Sequence, residues 1–312
     1  MRIAIMATGA VGGYFGARLA AAGHEVHFIA RGAQLDAIRK NGLKVESTLG
    51  NLHLKDVKAT DDPARVGAAD VVLFAVKLWD TEKAATLARP MVGAKTRVIT
   101  FQNGVDSVER LAPILGQDNV VGGIAFIATV IAAPGVISHT SPFARLRAGR
   151  IDGKADAVLA RFIEAGQAAG IDIQQSPDIN VDRWKKFVFL SSLAGATAAT
   201  RVALDQILGD ADMRALFGNL LREVIAVARA GKVALPVNFF DEQMKFAEAA
   251  QPGFKASMAH DLERGNRLEL DWLTGTVVRQ GRELNVPVPT SEAVYAVLKP
   301  HRMGASHAPK TP

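Results

Sequence analysis

The chain has 312 residues, 49% of them hydrophobic and 22% charged, with a formal net charge of +6 and no cysteine. These are the proportions of a globular protein, and the length exceeds what one hydrophobic core usually serves, so two domains are expected. The lack of cysteine excludes disulfides, thiolate metal sites and a cysteine nucleophile and is compatible with a cytoplasmic setting; lysine and arginine are interleaved with acids, so the positive charge does not read as a nucleic-acid surface.

In chain order, Arg2–Met6, Glu25–Ala30, Val71–Val76 and Arg97–Phe101 predict strands, and Val11–Ala22, Ala33–Asn41 and Thr81–Ala88 predict helices. This alternation, sustained to about Ser176, is the signature of a doubly wound, Rossmann-like parallel sheet. Val120–Ile127, Val130–Ile137 and Ala144–Arg147 read as further strands, with Pro134-Gly135 as a turn, so the sheet is expected to change direction near its end. Asp178 or Asp182 can cap a long helix through Trp184 and Phe189 toward Thr200, after which strand signals nearly vanish. Helical segments near Ala211–Ala230, Phe239–Ala249, Phe254–Glu263 and Leu268–Leu284 are separated by Gly231, Pro236, Pro252-Gly253 and Gly265-Asn266. The fold class is therefore α/β, a Rossmann-like doubly wound sheet at 1–177 followed by an all-α domain at 178–312, with a basic tail expected to fray from about His301. The longest apolar stretch, Phe187 to Thr200, is interrupted by Ser191, Ser192 and Gly195 and is too short to span a membrane, and the apolar run at the start is too short for a signal segment.

Directly after the first strand comes Ala7-Thr8-Gly9-Ala10-Val11-Gly12-Gly13-Tyr14-Phe15-Gly16, a glycine-rich turn opening a helix where a dinucleotide fingerprint belongs. Glycine at 9 lets the backbone approach a pyrophosphate, glycine at 12 lets helix pack on strand, and the helix start offers free N–H groups to phosphate. Ala7 replaces the first fingerprint glycine, which is tolerable only if its φ stays negative. An NAD site places an acid at the end of the second strand, but none lies between residues 26 and 35; Arg31 stands there instead, suited to the 2′-phosphate of NADP(H).

Reducing a ketone with a nicotinamide requires a proton donor beside the carbonyl oxygen. The seven histidines suggest no metal site, and no G-x-S-x-G, P-loop or H-E-x-x-H is present, which leaves serine hydrolase, NTPase and zinc protease readings unsupported. The better candidates are Lys186 in Trp184-Lys185-Lys186-Phe187, Asn103 in Gln102-Asn103-Gly104, and Lys77; the last two follow strands, at the sheet end where open α/β folds bind ligands.

These residues resemble the ketopantoate reductase (2-dehydropantoate 2-reductase) family. The likeness runs from G-A-V-G-G-Y-F-G at 9–16 through V-K at 76–77, N-G at 103–104, W-K-K at 184–186 and S-M-x-x-D-L at 257–262 to E-x-D-x-x-x-G at 269–275. It implies an NADPH-binding Rossmann domain, a helical substrate domain, and reduction of a 2-oxo acid, with 2-dehydropantoate to (R)-pantoate in pantothenate synthesis as the leading case. By that resemblance Lys186 is the proton donor, Asn103 contacts nicotinamide ribose and substrate, and Ala128 makes a backbone contact with cofactor. Ser257 holds the substrate's carboxylate or hydroxyl, Glu269 lies between cofactor and substrate, and Lys77 and Arg31 complete the cofactor clamp. A homodimer is left open.

Ser257 and Glu269 lie twelve residues apart, about 18 Å along one unbroken helix and too far to share a small substrate. A helix break at Gly265-Asn266 is therefore required, with Glu269 and Asp271 in the first turn of the next helix. Where many family members carry asparagines one and two turns after the lysine, this chain has Leu190 and Ala194, which points to a more apolar 2-oxo acid, with Ser191, Ser192, Thr197 or Arg201 as compensating groups. A non-catalytic NADP(H) sensor is the competing class, disfavoured by the co-occurrence of Lys186, Asn103 and Glu269.

Overall fold

The computed structural model describes residues 1–305. Its first unit, Met1–Asp182, runs β1 (Arg2–Met6), α1 (Ala10–Ala21), β2 (Glu25–Ile29), α2 (Gly32–Asn41), β3 (Leu43–Ser47), β4 (Leu52–Leu54), β5 (Lys58–Thr60), β6 (Val71–Phe74), α3 (Thr81–Ala88), β7 (Arg97–Thr100), α4 (Ser107–Leu115), β8 (Val120–Phe126), β9 (Thr129–Ala133), β10 (Val136–His139), β11 (Arg145–Gly149), α5 (Ala157–Ala168) and β12 (Asp172–Gln175). The main sheet has the order β12-β11-β8-β7-β6-β1-β2-β5. It is parallel except where β11 runs antiparallel to β8, the expected change of direction.

The period-two alternation of the central strands sorts their side chains into two cores. Ile3, Ile5, Val71 and Leu73 join Phe15, Phe28 and Phe162 in one; Ala4, Met6, Val72 and Phe74 join Ala85, Val98 and Leu111 in the other. Strands covered on both faces read as continuous apolar runs, which is why these were visible in the sequence. Asp156 caps α5 by accepting from the N–H groups of Val158 and Leu159.

A second, four-stranded sheet, β4-β3-β10-β9, was not anticipated. Its strands are short, and the expected strand Val130–Ile137 breaks at Pro134-Gly135 into the β9-β10 hairpin, with Gly135 at φ 78°. Nor were α4 and α5 anticipated.

The second unit begins at Arg183, inside the first turns of α6 (Ile179–Thr200). It continues with α7 (Leu204–Gly209), α8 (Ala211–Ala230), α9 (Phe239–Glu248), α10 (Ser257–Glu263), α11 (Thr274–Glu283) and α12 (Pro289–Leu298). The expected helix at Phe254–Glu263 starts only at Ser257, and Leu268–Leu284 divides into a 3-10 turn, Leu270–Trp272, and α11. Buried Glu223 of α8 accepts from the Thr290 and Ser291 N–H groups and so caps α12, which has Pro289 at its start. Fraying does not begin at 301: the Leu268 N–H donates to the Arg302 carbonyl and the Ala305 N–H to the Gly265 carbonyl. The rest of the expected tail lies outside the described residues.

Candidate active site

Gly9 stands at the N-cap of α1 and supplies no side-chain cap, and the first helical turn carries no acid. The Gly13 N–H returns to the Gly9 carbonyl at 2.7 Å, while the N–H groups of Ala10, Val11 and Gly12 have no intrahelical acceptor. A Cβ on Gly12 would lie 2.3 Å from the Ala7 carbonyl oxygen, and one on Gly16 2.7 Å from Phe28, so both glycines are packing requirements. At Gly9 a Cβ would meet nothing within 4 Å, so space stands open beside the turn. Ala7 is not among the residues of positive φ, so the condition on it is met. Thr8 is buried, and its hydroxyl has no partner among the described residues. An orphaned hydroxyl, an uncapped helix start without acids and open space at Gly9 fit a bound pyrophosphate.

Arg31, Lys77 and Asn103 follow β2, β6 and β7, on the same edge of the sheet as this turn. A cleft of about 230 Å³ is lined by Gly9, Arg31, Pro63, Lys77 and Lys83. Arg31 is exposed at the N-cap of α2 and makes no ion pair among the described residues. Asp61, which follows β5, also lines the cleft and lies 3.8 Å from Arg39; this acid was missed because it comes from a neighbouring strand whose pairing with β2 the residues do not announce. Lys77 is exposed, its ammonium 5.5 Å from the centre of the Trp79 ring.

Gln102 also escaped notice. Its buried side-chain amide donates to the Val76 carbonyl at 3.0 Å and to the Thr81 hydroxyl at 2.8 Å, while its carbonyl accepts from the Thr100 hydroxyl at 3.1 Å. One satisfied amide thus ties the strand end that leads into Lys77 to the one that leads into Asn103. The Ala128 N–H is spent on the Ser141 hydroxyl at 2.9 Å, and its carbonyl accepts from the Thr140 N–H at 3.0 Å. A second lone pair on that carbonyl is what Ala128 can offer a ligand.

In the second unit the structure brings Lys186 and Glu269 together. Lys186 projects from α6, and withdrawal of its ammonium from water lowers its pKa from 10.5 to about 8, opposed by the negative charge of Glu269. Glu269 is buried at the N-cap of the 3-10 turn, where its carbonyl accepts from the Trp272 and Leu273 N–H groups. The required break is present: α10 stops at Glu263, and Gly265 takes φ 68°. Ser257, the first residue of α10, is exposed. Asp271 serves the fold, accepting from the Tyr295 hydroxyl at 2.7 Å. Leu190 is half-buried and Ala194 fully buried. Of the compensating groups, Thr197 donates to the Leu193 carbonyl, and the buried Ser192 hydroxyl has no partner among the described residues. Among the described residues there is no cluster suited to a metal ion and no helix long and apolar enough to cross a membrane.

A glycine-rich turn opening a helix on a doubly wound sheet, joined in one chain to a helical unit with a lysine of lowered pKa under the influence of a carboxylate, fits one class: Rossmann-type nicotinamide-dependent oxidoreductases. A family model described as ketopantoate reductase PanE/ApbA matches residues 3–153, and its C-terminal counterpart matches 178–302. The 2-dehydropantoate 2-reductase of Mesorhizobium japonicum is 31% identical over 320 residues, covering 96% of this chain and 97% of that one. Among solved structures, a PanE/ApbA family ketopantoate reductase from Ralstonia eutropha superposes with a TM-score of 0.89 at 33% identity, covering 97% and 98% of the two chains. The 2-dehydropantoate 2-reductase of Geobacter metallireducens gives 0.89 at 31%, covering 96% and 99%. The chain belongs to the ketopantoate reductase family, and with it to the NADP-dependent oxidoreductases that act on a CH–OH group.

Proposed function

We propose that the chain reduces 2-dehydropantoate to (R)-pantoate with NADPH, the first unit holding the cofactor and the second the 2-oxo acid. The reading is carried by the juxtaposition of Lys186 and Glu269: a shielded ammonium with its pKa lowered to about 8 stays protonated at neutral pH yet gives up its proton readily. NADPH supplies the hydride that adds to the carbonyl carbon. Lys186 passes a proton to the carbonyl oxygen as negative charge develops there, and its ammonium stabilises that charge before transfer. The lysine then regains a proton from water, so the reaction balances as 2-oxo acid, hydride and proton giving the 2-hydroxy acid. Glu269 favours the protonated form of Lys186 between turnovers. Ser257 supports the substrate's carboxylate or hydroxyl, and Asn103 orients substrate against the nicotinamide ribose.

On the cofactor side, the free N–H groups at Ala10, Val11 and Gly12 and the Thr8 hydroxyl serve the pyrophosphate. Arg31, with its fork of donors, takes the 2′-phosphate, Lys77 adds charge at the same edge, and the Ala128 carbonyl accepts from the nicotinamide end. The reducing cytoplasm is the setting this reading implies.

Leu190 and Ala194 favour a second reading within the same chemistry, a 2-oxo acid with a more apolar side group. The test is NADPH oxidation, followed by absorbance, against a panel of 2-oxo acids, with Lys186→Ala beside the parent. Turnover of 2-dehydropantoate that Lys186→Ala loses supports the first reading; turnover confined to other acids supports the second. Tight NADPH binding with no turnover on any acid would replace both with the non-catalytic sensor.

A further inference from the structure

We infer that His139 is a positioning residue of the cofactor site, holding the Ala128 loop in register with helix α1 through a chain of hydrogen bonds; the inference rests on the NADPH reading above. His139 ends β10, is 2% exposed, and lies with its ring centre 4.8 Å from that of Tyr14 on α1. Each ring nitrogen faces a serine: Nδ1 is 2.8 Å from the Ser47 hydroxyl, and Nε2 is 2.9 Å from the Ser141 hydroxyl and 3.1 Å from the Phe143 carbonyl.

Counting donors and acceptors assigns the tautomer. The Ser47 oxygen already accepts from the Leu49 N–H at 3.0 Å and from the Arg18 guanidinium at 3.5 Å, so its own proton is directed at Nδ1. The Ser141 oxygen accepts from the Ala128 N–H and donates to the Phe143 carbonyl at 2.7 Å, so its remaining lone pair takes a proton from Nε2. An imidazole with Nε2–H and bare Nδ1 satisfies both serines and the Phe143 carbonyl together. The chain of contacts then runs from Arg18 and Tyr14 on α1 through Ser47, His139 and Ser141 to Ala128.

Its place in the sheet gives this chain its use. Strand β1, which leads into the pyrophosphate turn, separates β2 with Arg31 from β6, β7 and β8. A dinucleotide with its 2′-phosphate at Arg31 directs its nicotinamide half toward the ends of β7 and β8, where Asn103 and Ala128 follow. His139 thus fixes the nicotinamide side relative to the helix that seats the phosphates, and hydride transfer is sensitive to that alignment.

The test compares His139→Gln, His139→Asn and Ser141→Ala by fluorescence titration with NADPH and by competition with 2′,5′-ADP, which carries only the adenosine end. Glutamine reaches the Nε2 position and keeps the bond to Ser141 but gives up Ser47, whereas asparagine reaches the Nδ1 position and keeps Ser47 but gives up Ser141, so each variant breaks the chain on one side. The expected result is NADPH affinity weaker by about 5- to 10-fold for His139→Gln, His139→Asn and Ser141→Ala alike, the loss of one hydrogen bond's worth of order. Affinity for 2′,5′-ADP stays within about twofold throughout, because the adenosine end does not depend on this chain of bonds. NADPH affinity within about twofold of parent in any of the three variants, or 2′,5′-ADP binding that falls as far as NADPH binding, overturns the positioning role while leaving the cofactor reading intact. A parent enzyme that does not bind NADPH overturns the cofactor reading and this inference with it.

Discussion

Replacing Glu269 by Gln isolates the electrostatic part of the proposed proton donor. In the parent, burial takes the Lys186 pKa from 10.5 down to about 8, and the Glu269 charge is the opposing influence that keeps it from falling further. The net displacement corresponds to about 3 kcal/mol of disfavoured ammonium. With a pKa of about 8, about nine-tenths of Lys186 carries the proton at pH 7 and about one-tenth at pH 9, so kcat/KM should hold at neutral pH and fall on an alkaline limb centred near 8. Glutamine keeps the shape and removes the charge, leaving burial unopposed. The limb then moves to lower pH, and beyond it each further pH unit costs about a tenfold loss of protonated enzyme. The assay is kcat/KM for NADPH oxidation between pH 6 and 10 at saturating cofactor, for parent and Glu269→Gln. A limb that stays in place, or that moves to higher pH in the variant, would show that Lys186 is not the group whose protonation is being read.

The same group bears on stability. Lys186 has its folded pKa at about 8 and its unfolded value at 10.5, so between those values the unfolded chain holds the extra proton and stability rises with pH. From pH 7.5 to 9.5 this amounts to about 2 kcal/mol, and urea unfolding of parent against Lys186→Met should show the rise diminished by about that amount in the variant. Arg31→Ala should weaken NADPH by roughly 10- to 100-fold, the worth of charge-assisted hydrogen bonds, and leave NADH nearly unchanged; equal loss for both cofactors would contradict the 2′-phosphate role. Gly12→Ala forces a methyl within 2.3 Å of the Ala7 carbonyl, backbone that cannot swing aside. It should cost about 1–3 kcal/mol in thermal or urea unfolding, whereas Gly9→Ala, in open space, should fold like the parent and bind NADPH less tightly.

The two glycines also show what could be read before any coordinates. A strand, a glycine turn and a helix follow one another within sixteen residues, so local signals suffice to name the turn, and Arg31 needs only the next strand. The same holds for the helix break, because Gly265 must sit where a helix would otherwise run on. Gln102 and His139 were illegible for the opposite reason. Val76, Thr81, Ser47 and Ser141, which give those side chains their use, are up to 92 positions away, and nothing in a single sequence marks a polar residue as saturated by remote partners. The second sheet was missed likewise, since β3 finds β10 across a similar separation and its strands are three to five residues long.

That difference bears on how the chemistry is divided. Groups proposed to touch phosphate can be read locally because a helix start and a glycine turn would form such a site by themselves. The groups proposed to meet a reacting carbonyl are held by long-range packing: Lys186 lies on α6, and Glu269, which opposes the effect of burial on its ammonium, lies eighty-three residues later behind a helix break. An ammonium at that position without the carboxylate would lie further below pH 8 and spend more of its time deprotonated at neutral pH, unable to donate. The break at Gly265 therefore belongs to the proposed catalytic apparatus as much as to the fold, since a helix continuous from Ser257 would carry Glu269 about 18 Å along its axis, too far for the two to share a small substrate.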